Sequence, residues 1–307
     1  MAALTPFSSQ PTPSCYALDR QRSSIAHGLD LRASGEKLHL NFLLDAQQNT
    51  HDTRQQAPIP GYTQLTSNPS HPSNPILTPK GDHNYPSSPC AYATPVRNIG
   101  PTCPLDGLLL DFLAERQRRA AEGVPSQNLV GPAYPSVSSL LNPERSVLAH
   151  PLSKVFTDII GTFPDLAALP EQIAVLYVMF LVMRWQISPS QENYDRLPEW
   201  VTPRASQLFT PHPAWIDHLP WPRMRDKMVY MYPNIPFDTW FIPYTTTLSL
   251  NWPYEPTDTL ISLPDSEELS INPVFERHVR DLNNWSLGPA FAKAFPMLVE
   301  TTKIKPL

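Results

Sequence analysis

Glycine is scarce in this chain, at 10 of 307 residues. So few leave no Gly-rich loop to cradle phosphates and no dinucleotide fingerprint. Cysteine is scarcer. The three, Cys15, Cys90 and Cys103, show no C-x-x-C spacing, which excludes a zinc cluster or a disulfide framework and suits the reducing cytosol or nucleus. Charge is also thin, at 17% with a net of -5, so there is no general electrostatic reason to bind DNA or an anionic membrane. Long apolar runs are missing too. The greasiest, Ile173 to Met183, is about half of the roughly 20 residues a bilayer needs, and Glu171 and Arg184 bracket it. Met1 to Tyr16 is polar and proline-broken, unlike a secretory signal. A soluble intracellular protein is expected.

What the chain has in excess is proline, 38 residues, more than twice the usual share. The ring removes a ladder donor and breaks helix interiors, which excludes a doubly wound parallel sheet or a long coiled coil. Residues 1–104 combine Pro, Ser, Thr, Gln, Asn and His with few large apolar groups, too little to offset roughly 1–2 kcal/mol of ordering entropy per residue. They are expected to be disordered, save a short amphipathic element at Glu36 to Gln48 that folds transiently or on a partner.

Residues 105–300 read as one mainly α domain of short helices punctuated by proline around a buried central helix, with 301–307 a C-terminal tail. Leu105, Leu108, Leu109, Phe112 and Leu113 recur at helical spacing, as do Leu152, Val155, Phe156, Ile159 and Ile160. The run from Pro170 to Gln186 is greasy on all faces, hence central and buried. Asn142-Pro143, Ser188-Pro189, Thr202-Pro203 and Asn272-Pro273 each pair a capping side chain with a ring preset for a first helical turn. Between Trp215 and Trp252 the prolines leave room only for brief turns and extended pieces. Two helices close the domain, Pro273 to Asn284 and Pro289 to about Pro296.

No chemical signature emerges. A G-x-S-x-G elbow, a P-loop and a paired carboxylate set are all missing, so no catalytic residue, cofactor or metal is assigned and the chain is not read as an enzyme. His212, Asp217 and His218 cluster, but a spacing of six with Pro213 between fits no helical ligand pair, and capping with surface hydrogen bonding is the expectation. Arg116, Arg118 and Arg119, flanked by Glu115 and Glu122, read as a solvated helix face rather than a phosphate footprint. In the sequon Asn284-Trp285-Ser286, Trp285 is expected to face the core. Thr5, Thr12, Thr78, Ser88 and Thr94 precede prolines; Thr78, Ser88 and Thr94 are the candidates for proline-directed phosphorylation. All seven Trp lie between Trp185 and Trp285. Trp215, Trp221, Trp240 and Trp252 are candidates for docking a protein partner, because rigid aromatics offer contact area at low entropic cost. The alternative is that they fill a core short of long helices.

Several strings recur together: Tyr134-Pro-Ser-Val-Ser-Ser-Leu-Leu-Asn-Pro143, His150-Pro-Leu-Ser-Lys-Val-Phe-Thr-Asp158, Ala174-Val-Leu-Tyr-Val-Met-Phe-Leu-Val-Met-Arg-Trp-Gln186, His212-Pro-Ala-Trp-Ile-Asp217, Leu248-Ser-Leu-Asn-Trp-Pro-Tyr254 and Ile271-Asn-Pro-Val-Phe-Glu-Arg-His278. From Cys103 to Pro296 the chain resembles a fungal domain of unknown function that commonly follows the basic leucine zipper in transcription factors of filamentous fungi. The resemblance implies a nuclear, transcription-related role, with the cytoplasm as the alternative. It also implies protein partners, the transcriptional machinery or a zipper protein. The zipper's own Asn-x-x-Ala/Ser-x-x-x-Ser/Cys-Arg core has no counterpart in residues 1–104, whose seven Lys and Arg are balanced by six acids. Direct nucleic-acid binding by this chain is therefore not expected. The rival class is a small-molecule binder or enzyme whose site forms only in three dimensions.

Overall fold

A computed structural model describes residues 91–263 and 268–306. The element at Glu36 to Gln48, Cys15, Cys90, Thr78 and Ser88 lie outside them.

Proline opens most of the longer helices, since its missing N–H is one of the donors a first turn leaves free. In chain order these are α1 (Pro104–Ala121), α2 (Ser126–Val130), α3 (Ser138–Leu141), α4 (Pro151–Gly161), α5 (Leu169–Ile187), α6 (Gln191–Asp195), α7 (Ala205–Phe209), α8 (Pro222–Met231) and α9 (Phe237–Thr247), then α10 (Pro273–Arg280) and α11 (Pro289–Ala294). Short 3-10 turns link several of them, among them Ala214–His218 and Pro296–Thr301. A small antiparallel pair, β1 (Leu260–Ser262) and β2 (Leu269–Ile271), joins Leu260 to Ile271. The mainly α class holds.

Helix α5 is the axis. Seventeen of its 19 residues are buried, and α1, α2, α4, α6 and the Ala214–His218 turn pack on it. Each fully buried Leu, Ile or Phe there contributes about 1.5–3 kcal/mol. The polar ends of the helix are tied down rather than solvated. Arg184, 9% exposed, donates to Asn193 Oδ1 and to the carbonyls of Val130 and Gly131. Gly131 sits at a φ of 62° with the His150 ring where a Cβ would stand, so two constraints require glycine there. At the other end Glu171 Oε1 accepts from Leu250 N at 2.9 Å. Among the described residues no helix is long and apolar enough to cross a membrane.

Four expectations change. Residues 91–103 belong to the folded body: Arg97 N donates to Gln207 O, Ile99 N to His212 O, and the Trp185 indole to Tyr92 O. Cys103 caps α1, accepting from Asp106 N, and is 3% exposed, so it is a core residue rather than a tail thiol. The last residues are also paired, with Leu287 N donating to Lys303 O and Lys305 N to Leu287 O. Finally, Trp215 to Trp252 holds two full helices, α8 and α9, with Pro243 inside α9.

Pro243 cannot bond back to Thr239, a defect worth about 3 kcal/mol in an isolated helix interior. Here Phe237, Trp240, Phe241 and Tyr244, at i, i+3, i+4 and i+7, lay an aromatic stripe on the core that offsets it. The Thr245, Thr246 and Thr247 hydroxyls bond back to the carbonyls of Phe241, Ile242 and Pro243.

The capping pairs divide. Asn272 caps α10 through Val274 N, and Asn142 accepts from Glu144 N. After Ser188 and Thr202, however, the chain runs on to Ser190 and Arg204, and these are the N-cap residues of α6 and α7.

Candidate functional site

The stripe of α9 meets Trp215 in an aromatic cluster. Trp240 stacks on Tyr244 at 4.4 Å and Phe237 on Phe241 at 4.8 Å between ring centres. Trp215 lies 4.8 Å from Trp240 and 5.5 Å from Phe237, and Phe163 meets Phe241 edge-on. These rings do not close the interior. A cavity of about 50 Å³ remains, bounded by the cluster, by Val178 and Met179 of α5, and by His218.

Two residues that line it each carry a buried polar atom without a partner. Trp240 is 1% exposed and its indole Nε1–H meets no acceptor; the buried Nδ1 of His218 likewise has no partner. Burial pushes the His218 pKa down to about 4, against a weaker upward pull from Asp217, so the ring is neutral near pH 7.

Directly beside this cavity the polar groups are saturated. Asp217 is 3% exposed; its Oδ1 accepts from Gln207 Nε2 at 2.6 Å and faces His212 Nε2 at 2.8 Å, while Oδ2 accepts from Asn98 Nδ2 at 2.8 Å. His212 Nδ1 lies 2.7 Å from Thr210 O, an acceptor only, so the ring donates at both nitrogens and forms an imidazolium–carboxylate pair. Burial opposes charge on both members. The mutual hydrogen bond and charge overcome it, holding His212 above and Asp217 below their ordinary values.

Gln207 passes the chain of bonds to Arg225, which is 0% exposed and spends its donors on Gln207 Oε1 and the carbonyls of Leu219, Pro220, Trp200 and Thr202. Asp106 adds a second buried carboxylate, accepting from Trp215 N and from Thr102, and burial raises its pKa despite those bonds. This network pins residues 98–106, α7, α8 and the Ala214–His218 turn in one register.

The sequence-predicted residues fare unequally. His212 and Asp217 do come together, but in the interior rather than in surface hydrogen bonds. Trp215, Trp221 and Trp240 are 4%, 3% and 1% exposed, so these three are core rings and their faces are not offered to a partner. Trp252 is half-buried, edge-on to Phe275, Tyr254 and His278. Trp285 does face the core, at 0%. Thr94 is half-buried beside the first turn.

Arg116 leaves the expected solvated face: at 6% exposed it lies over the Phe112 ring, while Arg118 and Arg119 pair with Glu122 and Glu115. Leu108, placed on the apolar face of α1, is 41% exposed. Glu276 and Arg280 pair as spaced, with the Tyr177 hydroxyl also donating to Glu276. Among the described residues no group of three His, Cys, Asp or Glu is placed to hold a metal ion.

Sequence reasoning missed Arg225 and the exposed aromatics Phe209 and Tyr230. These two rings are 71% and 64% exposed, and the hydroxyl of Thr210, the residue after Phe209, lies 3.5 Å from that of Tyr230. The charged groups tied to them by bonds or helix spacing are Arg97, Arg204, Arg223 and Lys227 against Asp226 and Glu300, a local excess of cations on an acidic protein.

Residues 180–307 match the model of a domain of unknown function, DUF3425. The match begins inside α5 and covers the cavity wall from Trp215 onward, but not Val178, Met179 or the strings at 134–143 and 150–158. No curated protein and no solved structure matches the chain.

Proposed function

We propose that this chain acts in the nucleus as a protein-contact module of transcriptional control. The motif strings support the transcriptional setting, and the exposed rings of Phe209 and Tyr230 carry the contact. Large rings standing in water on a rigid body are what association buries first, and Tyr is among the residues that dominate interface energy. The surrounding excess of Arg and Lys selects an acidic partner segment that carries apolar residues, and steers its approach.

The test tethers the whole chain to a heterologous DNA-binding domain and measures reporter transcription. The natural chain changes reporter output, and the double variant Phe209→Ala with Tyr230→Ala returns it to baseline while keeping its melting temperature. A tethered natural chain without effect on the reporter would overturn the reading, as would a double variant that retains the full effect.

A further inference from the structure

We propose that Thr94 is a phosphorylation site for a proline-directed kinase, and that its phosphate captures Arg97 and so withdraws a cation from the surface around Phe209. The assignment of the site stands by itself; its effect on binding rests on the partner reading above.

Thr94 lies in Thr94-Pro95-Val96-Arg97, a stretch that belongs to no helix, with Pro95 and Arg97 exposed. The ring that such a kinase reads directly after its target, and a cation three positions on, are therefore both open to it. Pro95 also disfavours helical backbone at Thr94 and holds it extended, the form in which a kinase groove takes a substrate. Thr94 is half-buried, yet among the described residues nothing bonds to its hydroxyl, which is not shut off from solvent. The other Ser-Pro and Thr-Pro pairs of the folded body differ in this respect: Ser188, Thr202 and Thr210 hold their hydroxyls against the Ser126 hydroxyl, Glu199 O and the Tyr230 hydroxyl.

Two anchors flank the stretch. On one side Tyr92 O accepts from the Trp185 indole at 2.9 Å; on the other Arg97 N donates to Gln207 O at 2.9 Å and His212 N to Arg97 O at 3.0 Å. Between them Val96 packs against the core. A segment held by so few contacts opens at lower cost than the body it lies on, which admits a kinase without global unfolding. The kinase then moves the γ-phosphoryl group of Mg·ATP to Thr94 Oγ1. The bond from that phosphorus to the ADP oxygen breaks, the bond to Oγ1 forms, ADP leaves, and the hydroxyl proton passes to the kinase's aspartate base and on to water.

The phosphate brings about -1.5 to -2 charge near pH 7. Arg97 follows three residues later, at most about 11 Å along the backbone, and its exposed guanidinium bonds to the neutral carbonyl of Phe209 at 3.2 Å. A phosphate offers it a charge-assisted, bidentate alternative, which is the stronger bond. Four cations stand against two acids around Phe209 and Tyr230, so the phosphate cancels most of the excess that selects an acidic partner.

The full 307-residue chain is incubated with a proline-directed kinase and Mg·ATP, beside a Thr-Pro peptide as standard, and the sites are mapped by mass spectrometry. Thr94 should be modified, and Pro95→Ala should abolish that modification. A natural chain unmodified at Thr94 while the standard is modified overturns the site, and a Pro95→Ala chain still modified there overturns its proline-directed character. The ³¹P resonance that Thr94→Val lacks should titrate roughly half a pH unit or more lower in the natural chain than in Arg97→Gln; equal titration overturns the capture of Arg97. A short fluorescent peptide alternating Asp with Phe and Leu should bind the phosphorylated chain about 3–10-fold more weakly than the unphosphorylated one, while kinase-treated Thr94→Val keeps full affinity. Unchanged affinity with Thr94 modified overturns the effect on binding. A peptide that ignores Phe209→Ala with Tyr230→Ala overturns the partner reading instead, and the mapping and the titration still decide the site.

Discussion

Around Asp217 and around Trp240 the same interior treats polar atoms in opposite ways. In the first region every donor has an acceptor: Asp217 takes bonds from Asn98, Gln207 and His212, and Arg225 spends its guanidinium on five oxygens. In the second, the buried indole N–H of Trp240 and the buried Nδ1 of His218, both residues lining an apolar space, have nothing to bond. The contrast separates polar groups that fix the fold through their bonds from ones that sit in it by their rings alone. Saturated buried polar groups specify a register, and removing any one orphans its neighbours. An unsaturated one can be removed at little cost.

The largest test of that contrast is Asp217→Ala. It leaves the His212 charge buried and Gln207 and Asn98 without their acceptor, and should cost about 3–5 kcal/mol in urea unfolding. A loss no greater than that of an exposed substitution would break the comparison.

Acid supplies the next. Below pH 6.5 the unfolded chain protonates at His218, whereas the folded ring resists until about pH 4, so stability contributed by this group is present above 6.5 and lost as pH falls between those values. The loss is at most about 3 kcal/mol, and less to the extent that water reaches the ring. Asp106 and Glu171, whose carboxyls burial raises, act in the opposite sense as pH falls. The difference between the natural chain and His218→Phe, measured at each pH, therefore isolates the histidine. A parallel pair of pH profiles would show that His218 is not held neutral. His212 and Asp217 lie outside that window: the raised His212 loses its contribution above pH 6.5, and the lowered Asp217 loses its contribution below about pH 3.8.

A sharper comparison sets indole against indole. Trp285→Phe abandons a bond to Val279 O at 2.8 Å, whereas Trp240→Phe abandons none. The first should cost about 1 kcal/mol more than the second. Equal costs would mean that Trp240 is satisfied after all. Smallest of all, Phe209→Ala should move stability by no more than about 0.5 kcal/mol, because its ring stands in water.

Much of the scaffold was legible. The all-round apolar run announces the central helix, apolar spacing announces α4, and the Asn272-Pro273 pair announces α10, which ends at Arg280 rather than Asn284; the burial of Trp285 was also expected. Helix α9 was hidden by one residue: Pro243 argued for a break, yet the Phe237, Trp240, Phe241 and Tyr244 stripe around it bears the right period. Arg225 was hidden for a different reason. A lone arginine on a short helix reads as solvated, and nothing nearby announces the five oxygens that surround it. Of the site, the His212–Asp217 cluster was visible as spacing but not as an interior pair, and the cavity was not visible at all.

The division follows from range. Helix position, helix punctuation and the all-round burial of α5 depend on residues within a few turns of one another, and composition with spacing settles them. Whether a side chain ends saturated, exposed or facing a void depends on partners such as Asn98 for Asp217, 119 residues apart, or Asp106 for Trp215, 109 residues apart. Only the tertiary packing decides those meetings, because close packing and hydrogen-bond saturation are properties of the assembled interior and not of any segment in it.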